Sequence, residues 1–164
     1  SGMNINDIAL LKYNNIKGES LEFKRAKTRQ TAKKKSTTIV VPLTDLSKKI
    51  IEKYGNEDKS HEQFIFSIVD KNTDGVGIKR KIKLFTRFVN QHIKLLAKAN
   101  ELPEDISTYW ARHSFATLSI QGGASIEFVQ EAFGHQNIST TQNYFAGFED
   151  EAKKQIVESL LKFD

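Results

Sequence analysis

From Ile78 onward the apolar residues Ile82, Phe85, Val89, Ile93 and Leu96 recur at intervals of four, three, four, four and three, the period of one helical face. The rest of that helix carries Lys79, Arg80, Lys83, Arg87, Lys94 and Lys98, a set that fits either a solvated face or a track along a phosphate backbone. Pro103 interrupts the pattern. A second helix is predicted from about Ser107 to Gln121, with Ala111, Phe115 and Leu118 on one inward face and Gly122-Gly123 as its stop. Ser125 is placed to cap a short helix ending at Gly134, and Ser139-Thr140-Thr141-Gln142 reads as a capping box that opens a helix with Tyr144 in its second turn. Asp150 and Glu151, followed by Ala152, Ile156, Leu160 and Leu161, predict an acidic-start amphipathic helix at the C-terminus.

The first half reads differently. Asn4-Ile5-Asn6-Asp7 ahead of Ile8, Leu10 and Leu11 predicts a short helix ending near Tyr13, capped by Asn4 or Asn6. The runs Leu21 to Arg25 and Thr37 to Leu43 are rich in β-forming residues and predict a hairpin with a long basic tip; Phe64-Ile65-Phe66 predicts a third short strand. Between them, Leu46, Ile50 and Ile51 give Thr44 to Tyr54 helical spacing. The expected fold is α+β, mainly helical, with one small antiparallel three-stranded sheet.

A chain of 164 residues is one ordinary domain, large enough to close a core without metal or disulfide. No apolar run approaches membrane-spanning length, so a soluble protein in a cytoplasmic setting is the default expectation, and no secretory leader is visible. With no Cys, thiolate metal sites and disulfide frameworks are excluded, and four dispersed His make a histidine-only metal site improbable. The formal charge of +5 and pI of 9.3 favour a polyanionic partner. Lys24, Arg25, Lys27, Arg29, Lys33, Lys34 and Lys35 form the densest basic run, suited to salt-sensitive, largely sequence-independent phosphate contacts or to a solvated loop.

Candidate chemistry lies in the last third. Arg112 on its helix belongs at the rim of the core, where a guanidinium can grip phosphate oxygens in a bidentate manner or pair with a carboxylate. His113 adjoins it, but consecutive helical residues point about a hundred degrees apart, so only one is expected to aim at a given spot; His113 is assigned to structure. His135 follows Gly134, where the backbone is free to turn a ring toward a ligand. Tyr144 supplies a hydroxyl whose ordinary pKa is about 10, so attack on phosphorus needs proton removal and charge stabilisation, which Arg112 and His135 can provide.

Taken together, Arg112-His113-Ser114-Phe115-Ala116-Thr117, Phe133-Gly134-His135 and Ser139-Thr140-Thr141-Gln142-Asn143-Tyr144 resemble the signature of the tyrosine recombinases, the phage-integrase family. Gly2-Met3 through Ile16 resembles the family's first catalytic-domain motif, and Lys27-Thr28 ahead of Val41-Pro42-Leu43 resembles its β-hairpin lysine segment. The wording is most like that of members from Bacteroides-type mobile elements. The resemblance implies a cofactor-free, metal-free transesterification on double-stranded DNA in the bacterial cytoplasm: Tyr144 attacks the scissile phosphate to form a 3′-phosphotyrosyl link, Lys27 protonates the 5′ leaving oxygen, and Arg112 and His135 hold the phosphate. It also implies further integrase protomers in a tetrameric synapse, accessory DNA-bending proteins, and a last helix, Asp150 to Phe163, that packs on a neighbouring protomer or on its own core. An N-terminal core-binding domain belongs to the pattern, so the expected identity is the C-terminal catalytic part of a longer integrase.

Two positions depart from that pattern. Asn4 stands where the first catalytic arginine usually falls, and Tyr109 replaces the family's His three residues before Arg112. Loss of one preorganised donor typically costs about 2.7 to 4 kcal/mol of transition-state stabilisation. The competing readings are a degenerate recombinase that binds DNA or partners without cutting, a type IB topoisomerase-like enzyme, and a basic RNA-binding domain.

Overall fold

The computed structural model describes residues 2–25, 38–103 and 105–145. Helix α1 (Ile5–Ala9) begins at Asn4, but neither predicted side-chain cap forms there; the Asp7 and Ile8 amides bond to the Asn4 carbonyl instead. The helix also stops short of Tyr13, because Tyr13–Asn15 winds into a 3₁₀ turn that feeds strand β1 (Ile16–Lys17). β1 pairs with β2 (Ser20–Lys24), and β2 pairs antiparallel with β3 (Thr38–Pro42) in the register Leu21 to Val41 and Phe23 to Ile39. Side chains alternate across this ribbon, so Leu21, Phe23, Ile39 and Val41 enter the core while Glu22 and Val40 face out.

The three-stranded sheet is therefore present, with one strand misplaced by the sequence reading. Phe64-Ile65-Phe66 contributes a single bridge, Phe64 to Lys12, in place of the expected strand. Pairing cannot extend because the partner segment leaves into the 3₁₀ turn immediately after Lys12. Ile65 is nevertheless fully buried, packed with Leu11, Leu21, Phe23, Ile39 and Val41. Helix α2 (Asp45–Tyr54) covers this core, started by a capping box between Thr44 and Ser47. Of its expected apolar positions only Ile51 packs inward; Leu46 and Ile50 face solvent.

Helix α3 (Gly75–Ala99) is the long helix expected from its period, capped by the Asp74 carboxylate accepting the Gly77 amide at 2.8 Å. Ile82 packs with Ala9, Phe64 and Val69, supported by Ile78. At its far end the buried residue is Ala97 and Leu96 is exposed, because the chain folds back there and the Leu102 amide bonds to the Ala97 carbonyl. Asn90 of α3 caps α4 (Thr108–Gln121) by accepting the Thr108 amide at 2.9 Å.

Helix α4 corrects the sequence reading most clearly. Ala111 and Leu118 face out, whereas Arg112 and Ala116 are the buried pair, four residues apart. Helix α5 (Ile126–Phe133), capped by Ser125, buries Val129 and Phe133 beside Ala116. It ends where expected, at Gly134 in the left-handed conformation (φ 62°). Helix α6 (Ile138–Gln142) starts two residues earlier than predicted because Asn137, not Ser139, is its cap, accepting the Ser139 amide at 3.1 Å. Tyr144 consequently lies just beyond α6, its amide bonded to the Thr141 carbonyl at 2.9 Å.

Candidate active site

Arg112 is the centre of the site. The sequence places it at the rim of the core, but it is only 3% exposed, held by donation to the Gly2 carbonyl at 2.7 Å and to the Phe133 carbonyl at 3.3 Å. Its guanidinium lies 3.6 Å over the Phe133 ring, so cation–π attraction and two carbonyls compensate the lost hydration. Gly2 is required for that approach. Its φ is 61°, and a Cβ there would meet Phe133 at 3.0 Å and Phe115 at 3.1 Å. The Nε of Arg112 is buried with no hydrogen-bond partner among the described residues.

His135 follows the turn at Gly134, and this turn is tight in a second sense: a Cβ on Gly134 would sit 2.6 Å from Ile39 Cδ1. One ring nitrogen, Nε2, stands 3.2 Å from the Arg112 guanidinium, and the other, Nδ1, stands 3.0 Å from Thr141 Oγ1. Arginine can only donate, so Nε2 must accept and the ring proton resides on Nδ1, directed at Thr141. Burial, followed by the charges of Arg112 and Arg25, pushes the His135 pKa down to about 4. The imidazole is neutral at physiological pH.

Tyr144 closes the group. Its ring centroid is 5.4 Å from His135, 5.2 Å from Phe133 and 5.3 Å from the Arg112 guanidinium. Arg112 and His113 both reach Tyr144, although the sequence assigns His113 to structure alone. The His113 and Tyr144 ring centroids lie 4.9 Å apart. Tyr109, Arg112, His113 and Ala116 form one i, i+3, i+4, i+7 face of α4, and a ring laid over the middle of that face meets residues on both sides. From the first turn of the helix, the Tyr109 hydroxyl donates to the Tyr144 hydroxyl at 2.5 Å.

Arg25 stands in this cluster as well as in the basic run. Its side chain is 12% exposed, its Nε is 3.7 Å from the buried carboxylate of Asp7, and its charge is felt by Arg112, His135 and Tyr109. Burial, then repulsion from Arg25, lowers the Arg112 pKa, while Asp7 acts in the opposite direction. A positive potential is thus concentrated where the guanidinium and imidazole meet. Beside it opens a cleft of about 1520 Å³ whose lining includes Asn4, Asp7, Lys12, Lys24, Arg25 and Lys79. Arg80 is exposed on α3 and does not line it.

The sequence reading missed Thr141 and Asp7, and it assigned Arg25 only to DNA contact. Asp7 is the lone carboxylate of the first motif, which was the available signal for it; nothing distinguished Thr141 from Thr140 beside it. Lys27, Arg29, Lys33, Lys34 and Lys35, and the segment from Asp150 to Phe163, lie outside the described residues. Among the described residues no group of three His, Asp or Glu is placed to hold a metal ion, and no helix is long and apolar enough to cross a membrane.

The profile of the phage integrase family matches residues 1–151. The chain belongs to that family. This integrase-family chain is 35% identical over 117 residues to the tyrosine recombinase XerD of Oceanobacillus iheyensis, covering 64% of this chain and 34% of that protein. It is 29% identical over 161 residues to a tyrosine recombinase of Pseudothermotoga lettingae, covering 90% of this chain and 48% of that protein. The chain therefore spans half or less of the length of these curated relatives. Its fold resembles the crystal structure of XerA recombinase (TM-score 0.63, 16% identity, 99% of this chain and 53% of that one). It likewise resembles the Tn1549 transposon integrase in complex with circular intermediate DNA (TM-score 0.61, 17% identity, 98% of this chain and 56% of that one). The mainly helical α+β architecture with its small antiparallel sheet is the fold of these enzymes.

Proposed function

We propose that these residues form the C-terminal catalytic domain of a longer site-specific tyrosine recombinase that cuts and rejoins duplex DNA through a phosphotyrosyl intermediate. The observation that carries this reading is the convergence of Arg112, His135 and Tyr144, from three separate elements, around one point of positive potential. Tyr144 Oη attacks the scissile phosphorus, and the bond to the 5′ oxygen breaks. Lys27 serves as the proton donor to that oxygen. Arg112, already desolvated, turns its guanidinium from His135 toward the phosphate oxygens. The arriving negative charge opposes the effects that depress the His135 pKa, so the imidazole gains a proton at Nε2 and becomes a second donor.

Arg25 offers the charge that Asn4 cannot. It stands just after strand β2 and not in the first motif, and Asp7 anchors it at the edge of the cluster. Lys24 and Lys79, with the basic run from Lys24 to Lys35, contact the backbone of the duplex. On DNA the protein works as a tetrameric synapse in the bacterial nucleoid with accessory DNA-bending proteins.

A nicked suicide duplex, which traps the covalent intermediate by losing the 5′ strand, tests the reading. The full-length protein is expected to give a protein–DNA adduct that Tyr144→Phe abolishes. An adduct that survives this substitution removes Tyr144 from its role, and junction binding without any adduct favours a binding module that no longer cuts.

A further inference from the structure

Tyr109 stands where the family pattern has a histidine, and its position in this fold is specific to this chain's chemistry. It is half exposed, so its ring contributes little to the core, yet its hydroxyl meets the Tyr144 hydroxyl at 2.5 Å with the rings tilted 52°. We propose that Tyr109 is a catalytic partner of the nucleophile, a fixed donor to Tyr144 Oη that positions this oxygen for attack and stabilises negative charge on it. The proposal rests on Tyr144 being the nucleophile.

The groups around the pair set the direction of the hydrogen bond. Arg112 and His113 face it from α4, His135 from the turn after α5, and Arg25 from just after β2, with Asp7 of α1 behind Arg25. The Tyr109 pKa is pushed up to about 12 by partial burial and by its hydrogen bond to Tyr144, against the opposing charges of Arg112 and Arg25. The geometry makes the Tyr109 hydroxyl the donor of the pair and Tyr144 Oη the acceptor.

The proton and electron balance follows from that. In cleavage the Tyr144 Oη–P bond forms, the P–O5′ bond breaks with its electron pair leaving on O5′, the Tyr144 proton passes to water, and O5′ takes one up. In rejoining, a DNA 5′-hydroxyl forms the new P–O bond and loses its proton. The pair from the broken P–O(Tyr144) bond returns to Oη, where the Tyr109 hydroxyl meets it, and Oη takes a proton back from water. Tyr109 ends each step unchanged. A histidine at this place would offer an imidazole that titrates near neutrality, whereas the phenol remains a donor across the whole working range.

The test uses the full-length protein on two suicide duplexes, one with an ordinary phosphodiester and one with sulfur replacing the bridging 5′ oxygen, whose departure needs no proton. Tyr109→Phe removes one hydroxyl from a half-exposed ring, and a thermal melt matched to the native protein confirms that it folds. The expected result is a cleavage rate reduced roughly ten- to hundredfold on both duplexes, with the pH–rate profile displaced toward alkaline pH. Recovery of the native rate on the sulfur duplex overturns the proposal, since Tyr109 would then serve the leaving oxygen. An unchanged rate, or a slower rate with an unmoved pH profile, also overturns it. Should Tyr109→Phe melt early, Tyr109→His provides the second variant: restored stability with a new inflection near neutral pH supports a donor role at Oη, and a native pH profile overturns it. An adduct lost in Tyr144→Phe but unaffected by Tyr109→Phe defeats this inference alone. Absence of any adduct from the native protein on the sulfur duplex defeats the proposed function, and this inference with it.

Discussion

The Nε2 of His135 accepts from the Arg112 guanidinium across 3.2 Å. Two groups expected to grip the same phosphate are thus bonded to one another before any phosphate arrives. The pairing adds a neutral acceptor to the two carbonyls and the Phe133 ring that hold a cation only 3% exposed, and it ties the protonation of one residue to the freedom of the other. If His135 is protonated without an anion present, Nε2 loses its lone pair and faces a positive charge.

That relation sets a pH dependence. The folded-state pKa of His135 is about 4, below its ordinary 6.5, so protonation favours the unfolded chain. The stability contributed by the neutral ring is fully present above about 6.5 and is lost as pH falls through 4. Urea midpoints measured at pH 7.5, 5.5 and 4 are expected to decline across this window, and His135→Gln is expected to flatten the decline. Equal slopes in the two proteins would place the acid sensitivity elsewhere.

Thr141 is fully buried, and its hydroxyl accepts the Nδ1 proton of His135. Thr141→Val keeps the volume and leaves that proton without a partner, which costs about 1 to 3 kcal/mol. The expected adduct rate falls as well, because the ring loses the contact that holds its plane against Arg112. An unchanged melting temperature together with an unchanged adduct rate in the variant would contradict the role given to Thr141.

Gly134 both adopts a positive φ and lies against Ile39. Gly134→Ala is expected to destabilise by about 1 to 3 kcal/mol from the strained backbone alone, with steric conflict added. It should also displace His135 and slow adduct formation more than the loss of stability explains. Unchanged thermal stability would show that the turn at Gly134 is not the constraint described.

If about six basic residues meet phosphates, DNA affinity is expected to drop by roughly a thousandfold between 50 and 200 mM salt. Substituting Lys24 or Lys79, which line the cleft, should shallow the salt dependence by about one charge each. Arg25→Lys should instead lower the adduct rate with a smaller effect on binding, since its place is beside Asp7. A flat salt response would remove the basic cleft from the DNA-binding surface.

Local periodicity made much of this protein legible. The long helix α3, the stop at Gly134 and the alternation of β2 and β3 follow from side-chain spacing and backbone preference within a few residues. The family signature likewise marked Arg112, His135 and Tyr144 in the linear order. What local pattern could not reveal was which face of α4 points inward. Of the apolar stripe Ala111, Phe115 and Leu118 only Phe115 packs against the core, and the fully buried positions of the helix are Arg112 and Ala116. The reason is tertiary: a carbonyl 110 residues away, at Gly2, together with the Phe133 ring, gives the guanidinium partners that no neighbouring residue supplies. The same holds for Tyr109, Thr141 and Asp7. Tyr109 and Asp7 acquire their significance from atoms on separate elements, Tyr144 and Arg25, and Thr141 from the turn that swings His135 back over it, whereas the helices that carry them were written into the spacing of the chain.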